Sequence, residues 1–137
     1  MISRRTIVEL ALASIAPGLS LDAEAPSKTP ASKPVFQHAL PDLELKNWNV
    51  TAVEVNYPPG GASHAHQHAG FVLGYVLEGE VRFQLRGEPE RIVRTGEMFF
   101  EPPGSVHQVS GNASETKPAR LLALILAEQG AQLTRPA

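Results

Sequence analysis

The sequence predicts an all-β fold, a double-sheet jelly roll or small barrel, and three observations carry that expectation. Twelve prolines and eleven glycines fall in short clusters, the punctuation of a chain that turns often. From Asn47 onward, short apolar runs alternate with those clusters at close spacing, giving roughly seven to nine strands. No stretch after residue 35 reads convincingly as helix. A closed barrel or jelly roll is a standard way to manage the sheet edges such a chain creates. At 137 residues the chain has room for one buried core.

The N-terminus stands apart. "MISRRTIVELALASIAPGLSLDAEAP" has an Arg4-Arg5 pair, a mostly apolar stretch from Ile7 to Leu21, and Ala23-Glu24-Ala25 with small residues around a cut. Ser3-Arg4-Arg5-Thr6-Ile7-Val8 resembles the twin-arginine export signal used by folded proteins. Glu9 within the apolar stretch and Pro26 after the cut run against it, and an amphipathic helix lying on the barrel is the alternative. The expectation is an export signal over 1–25 and a periplasmic or secreted protein, with the cytoplasm as the other address. The stretch is too short and interrupted to span a bilayer. "PSKTPASKP", residues 26–34, reads as a linker, which leaves 35–137 as the barrel domain.

Each element of the barrel has its own signal. "NWNVTAVEVNY" puts Trp48, Val50 and Ala52 on one face and then Val53, Val55 and Tyr57 on the other, so a bulge is expected near Ala52–Val53. "PPGG" ends it. Phe71 to Leu77 stops at Glu78-Gly79-Glu80 and returns as "VRFQL", which reads as a hairpin. "RIVR", "MFFE" and "VHQVS" follow, separated by "RGEPE", Thr95-Gly96-Glu97 and "PPGS". "ARLLALILA" is apolar on both faces; its nine residues and its place after a strand series favour strand over helix.

Composition removes whole classes of function. Twelve basic and fourteen acidic residues, net −2, leave no electrostatic footprint for nucleic acid or anionic membrane. With no cysteine there is no disulfide, thiolate zinc site, iron–sulfur cluster or cysteine nucleophile.

Histidine is where the chain is unusual. "GGASHAHQHAGFVLGYVLEGE", residues 61–81, holds three of the five histidines. Because side chains alternate along a strand, His64, His66 and His68 share a face if the chain is extended. Two imidazoles on one strand need a further ligand from elsewhere to make a metal site. His107, after the tight turn "EPPGSV", is placed to supply it, whereas His38 near the linker reads as a surface residue.

These two segments resemble the paired motifs of the cupin superfamily. The first motif is a glycine, five residues, His-x-His, three or four residues, a glutamate, six residues and a glycine. Gly60, His66, His68 and Gly79 match it. The second motif is a glycine, five residues, Pro-x-Gly, two residues, a histidine, three residues and an asparagine. Gly96, Pro102, Gly104 and His107 match in order and spacing. The resemblance implies a cupin-type double-stranded β-helix, a jelly-roll barrel, with one divalent ion (zinc, iron, manganese or nickel) held by His66, His68 and His107. It makes His64 a rim residue. Two positions depart from the pattern: Val72 stands where the glutamate belongs, and Gly111 where the asparagine belongs, with Asn112 one later.

The missing carboxylate has one candidate replacement. Glu101 closes an apolar run directly before the turn that carries His107, and a buried carboxylate needs a partner. That partner is the metal, or else Arg82 or Arg94, or else Glu101 is solvated. Function then divides between a metal-dependent enzyme on a small molecule, with dioxygenase- or isomerase-like chemistry and Glu101 as acid/base, and a non-catalytic metal-bound sensor or ligand binder. A small-molecule ligand and a homodimer are the expected partners.

Overall fold

The computed structural model describes residues 28–137. The expected export signal therefore lies outside the described residues. The chain divides into two units, Met1–Ser32 and Lys33–Ala137, and the fold is that of the second.

Ten strands, with no helix among the described residues, form two antiparallel sheets: β1 (Trp48–Tyr57), β2 (Ala62–Ser63), β3 (His66–His68), β4 (Phe71–Glu78), β5 (Glu80–Leu85), β6 (Arg91–Arg94), β7 (Met98–Glu101), β8 (Val106–Asn112), β9 (Ala119–Glu128) and β10 (Thr134–Pro136). One sheet runs β1-β9-β4-β7. The other runs β10-β3-β8-β5-β6, with β2 also on β8. The all-β double-stranded β-helix is the fold, and "ARLLALILA" is a strand central to its sheet, buried on one face and half-buried on the other.

Two local expectations fail. β4 and β5 are not a hairpin. β4 pairs with β7 and β9, while β5 pairs with β6 and β8. The single residue between them, Gly79, is shorter than the two-residue loop a hairpin needs, and at φ 73° it swings the chain from one sheet to the other. Nor does β1 bulge. Its ten residues pair with β9 in unbroken register, from Trp48 opposite Glu128 to Tyr57 opposite Ala119. The apolar phase changes because Val53, Val55 and Tyr57 face the barrel interior, whereas Trp48 packs outside on Phe71 and Val50 stays 63% exposed.

The interior has two apolar regions. Val76, Val81, Phe83, Val93, Phe99 and Leu121 fill one, and Val72, Ala123, Ile125 and Ala127 fill the other. Gly74 makes room for one of these side chains: a Cβ there would run into the Phe99 ring. Phe99 and Phe83 in turn pack with tilted rings 4.2 Å apart and lie against the His107 ring, at 5.9 and 4.9 Å between centroids. The core thereby fixes the plane of one imidazole.

Candidate metal centre

β3 is three residues long, and its alternation puts His66 and His68 on one face. His64 is not on that face. The strand breaks at 64–65, between β2 and β3, and leaves the His64 side chain exposed at the cavity rim. Its carbonyl still takes part, accepting a hydrogen bond from His66 Nδ1 at 2.7 Å. His107 is delivered by β8, directly opposite His66.

A bulge sets the direction of His107. Against β5, β8 runs Phe83 to Ser110 and Gln84 to Val109, then jumps to Leu85 opposite His107, so Gln108 is the extra residue. The bulge re-phases the strand, so that Asn112, Ser110 and His107 are all buried although Ser110 and His107 are three apart. It also explains why the asparagine of the second motif arrives one residue late. Asn112 donates to the carbonyls of Lys117 and Pro58, at 2.6 and 3.1 Å, and accepts from the Ser114 amide at 2.9 Å. Its work is to hold loops.

The three imidazoles converge, with ligand atoms all within 4.8 Å of one another. Each ring is held from behind. His66 Nδ1 meets the His64 carbonyl, and His68 Nδ1 meets the Leu133 carbonyl at 3.2 Å and Thr134 Oγ1 at 3.0 Å. His107 Nδ1 lies 3.0 Å from Glu101 Oε1. An acceptor on every Nδ1 puts the ring proton there and leaves every Nε2 with a lone pair aimed inward, the arrangement that orients metal-binding histidines.

Two observations show that these lone pairs fit a cation. His66 Nε2 and His68 Nε2 are 3.1 Å apart, a separation that calls for a shared proton or a metal ion between them. Two nitrogens on one ion at about 2.05 Å would lie about 2.9 Å apart at a right angle and about 3.3 Å apart at the tetrahedral angle. His107 Nε2 is buried and has no hydrogen-bond partner among the described residues. A buried polar atom without a partner is costly, and an ion would satisfy it. Burial also lowers the pKa of His68 below its ordinary value, helped by His66 and His107 and opposed by the Glu101 charge, so the ring is neutral and a donor at neutral pH.

Glu101 is buried at 3% exposure and lines the same cavity. It is not solvated, and neither arginine considered for it is its partner: Arg82 pairs with Glu90 and Arg94 with Glu80. One oxygen takes the His107 Nδ1–H. The other lies 4.0 Å from His68 Nε2, beyond hydrogen-bond range. In the register of β4 and β7, Glu101 stands directly opposite Val72. The carboxylate of this site is thus one strand over from the motif position. Replacing Glu101 by glutamine keeps the shape but removes the charge behind His107. We expect metal affinity, measured by chelator competition, to fall about tenfold to a hundredfold with the fold intact. Unchanged affinity would mean that the carboxylate does nothing for the ring.

Sequence reading missed three residues of this site. Tyr57, Ser63 and Ser110 line the cavity, and Tyr57 Oη lies 2.6 Å from Ser110 Oγ and 3.2 Å from Ser63 Oγ. Tyr57 reads as one more apolar residue of an alternating strand, and only the inward register shows where its hydroxyl ends. The cavity is about 360 Å³, walled by Val53, Val55, Leu121 and Pro136.

A family model described as the cupin domain matches residues 53–125, more than half of the chain, and the chain belongs to that family. Among solved structures it is similar to the DMSP lyase DddQ from Ruegeria pomeroyi DSS-3, at 25% identity and TM-score 0.56, covering 64% of this chain and 43% of that one. It is also similar to a cupin-like protein from Thermotoga maritima, at 27% identity and TM-score 0.56, covering 65% of each chain. An oxalate oxidase solved with glycolate shares the fold at 22% identity and TM-score 0.53, over 85% of this chain and 75% of that one. The chain spans less than two thirds of the length of the first two. No curated protein matches it.

Proposed function

We propose that this chain is a single-domain cupin that holds one divalent ion through His66, His68 and His107 and acts on a small molecule bound beside it. The observation that carries the reading is the set of three Nε2 lone pairs, each fixed by an acceptor on its own Nδ1. Three imidazoles suit zinc, iron or nickel and leave coordination positions for a ligand. A bound ion would supply Lewis-acid or oxygen chemistry, of dioxygenase or isomerase type. The chain's own residues orient: Glu101 holds His107 and keeps a second carboxylate oxygen facing the cavity, where it can accept a proton from a bound molecule, and Val53, Val55 and Leu121 give the cavity an apolar wall. The likeness to a DMSP lyase supports an enzyme.

Val72 in place of the motif glutamate favours a second reading, a non-catalytic metal-bound sensor or ligand binder. Oxygen uptake and product formation by metal-loaded protein, screened with small organic acids, separate the two. Turnover that vanishes on chelation establishes the enzyme, and ligand binding without turnover establishes the binder.

Export and a homodimer belong to the same proposal. Arg4-Arg5 and the apolar stretch after it support export. Among the described residues β1 pairs only with β9 and carries the exposed Val50 at the sheet's edge, where a second copy would cover it.

A further inference from the structure

The cavity has a second polar feature besides the histidines. Ser63 and Ser110 stand opposite each other on β2 and β8, as His66 and His107 do on β3 and β8. Tyr57 reaches across from the other sheet to bond both serines. The result is a ladder, Ser63–Tyr57–Ser110, on the wall of the same cavity.

Counting protons shows what the ladder offers. Three hydroxyls carry three O–H groups, and the two contacts between them consume two. One O–H is left to donate, together with unused lone pairs. Tyr57 and Ser110 are buried, at 6% and 2% exposure, and Ser63 is exposed, so the inner two hydroxyls are the ones held away from bulk water. A single donor among apolar walls would leave a carboxylate poorly solvated. A neutral hydroxyl or carbonyl oxygen suits it.

Charge at the other end points the other way. Three neutral imidazoles with a divalent ion, beside one carboxylate at Glu101, leave a formal charge of about +1. One carboxylate of a ligand balances it. Arg135, at the cavity rim, donates Nε–H to the neutral Gln67 Oε1 at 3.2 Å and keeps its positive charge, which adds to the attraction for that carboxylate.

We propose that the hydroxyl ladder is a second recognition subsite, and that the ligand is a short monocarboxylate with a neutral oxygen at its far end, a hydroxy or oxo acid. Its carboxylate sits at the metal and its distal oxygen on the ladder. The identification rests on the metal reading above. Residues 107 and 110 are about 7–10 Å apart along a strand, which a chain of about three to five carbons spans once the side chains reach inward.

The test compares 4-hydroxybutanoate with pentanoate, which replaces the hydroxyl by a methyl, titrated calorimetrically into the zinc-loaded full chain. The hydroxy acid is expected to bind about fivefold to tenfold more tightly. Tyr57→Phe combined with Ser110→Ala removes both buried hydroxyls of the ladder, and the ratio should fall to about one with metal content unchanged. Ser110→Ala alone reads the same ratio should the double variant unfold, and at least a twofold fall, roughly, is expected. Equal affinity of the parent for the two acids, or a ratio that survives both substitutions, overturns the ladder alone. Protein that takes up no zinc overturns the metal reading beneath it.

Discussion

Replacing His66 and His68 together by alanine is expected to abolish metal binding, from about one ion per chain to nearly none by elemental analysis. Two of the three converging Nε2 atoms sit on one strand, and His107 alone is a single buried imidazole. The same change should not weaken the metal-free fold. It removes two lone pairs 3.1 Å apart, an arrangement unfavourable without a shared proton or a metal ion, from a short strand that is only half buried. Two thermal measurements therefore diverge. Added zinc should raise the melting temperature of the parent, because a ligand that binds only the folded state stabilises it, and should leave that of the variant unchanged. Metal-free variant and parent should melt within a few degrees of each other. Full metal occupancy in the double variant would mean that the ion, if any, sits elsewhere.

The strands and the three histidines were legible because each has a local signature. Alternation marks strands, and His-x-His on an extended segment fixes two side chains to one face whatever surrounds them. Pairing is not local. Glu78-Gly79-Glu80 reads as a hairpin turn from its composition, yet the strands beside it find partners on different sheets, and only long-range burial decides that. Bulges are hidden for the same reason. "VHQVSGN" shows no sign that Gln108 is the extra residue, yet that residue turns His107 inward and brings Asn112 back to the buried face.

The carboxylate was half legible. Burial of Glu101 follows from its place at the end of an apolar run. Its position opposite Val72 depends on the register of β4 against β7, which no single segment encodes. Tyr57 was not legible at all, since a tyrosine on an inward face packs like any aromatic until its hydroxyl meets two serines from other strands.

That register makes Val72→Glu the most discriminating substitution in the molecule. Val72 is fully buried beside Ala123, Ile125 and Ala127. Its Cβ is about 5 Å from that of Glu101, the spacing of a directly opposed cross-strand pair. Without metal, the variant would place a second carboxylate against the first in an apolar wall. Both cannot remain charged at little cost, so one must be protonated or the fold must weaken, by about 3 kcal/mol or more. With metal, the same carboxylate adds a hard oxygen donor and lowers the charge of the site by one. Oxygen donors suit manganese and ferrous iron better than a purely imidazole set does, and affinity for those ions should rise about tenfold or more. The expected signature is a metal-free protein that melts well below the parent and gains more from manganese than the parent does. Adding Glu101→Gln to this variant should recover much of the metal-free stability, since only one carboxylate remains, while the gain in manganese affinity persists. A variant that melts low and binds manganese no better than the parent would place residue 72 away from the ion. The relation between the motif glutamate and Glu101, and with it the carboxylate's move to the neighbouring strand, would then fail.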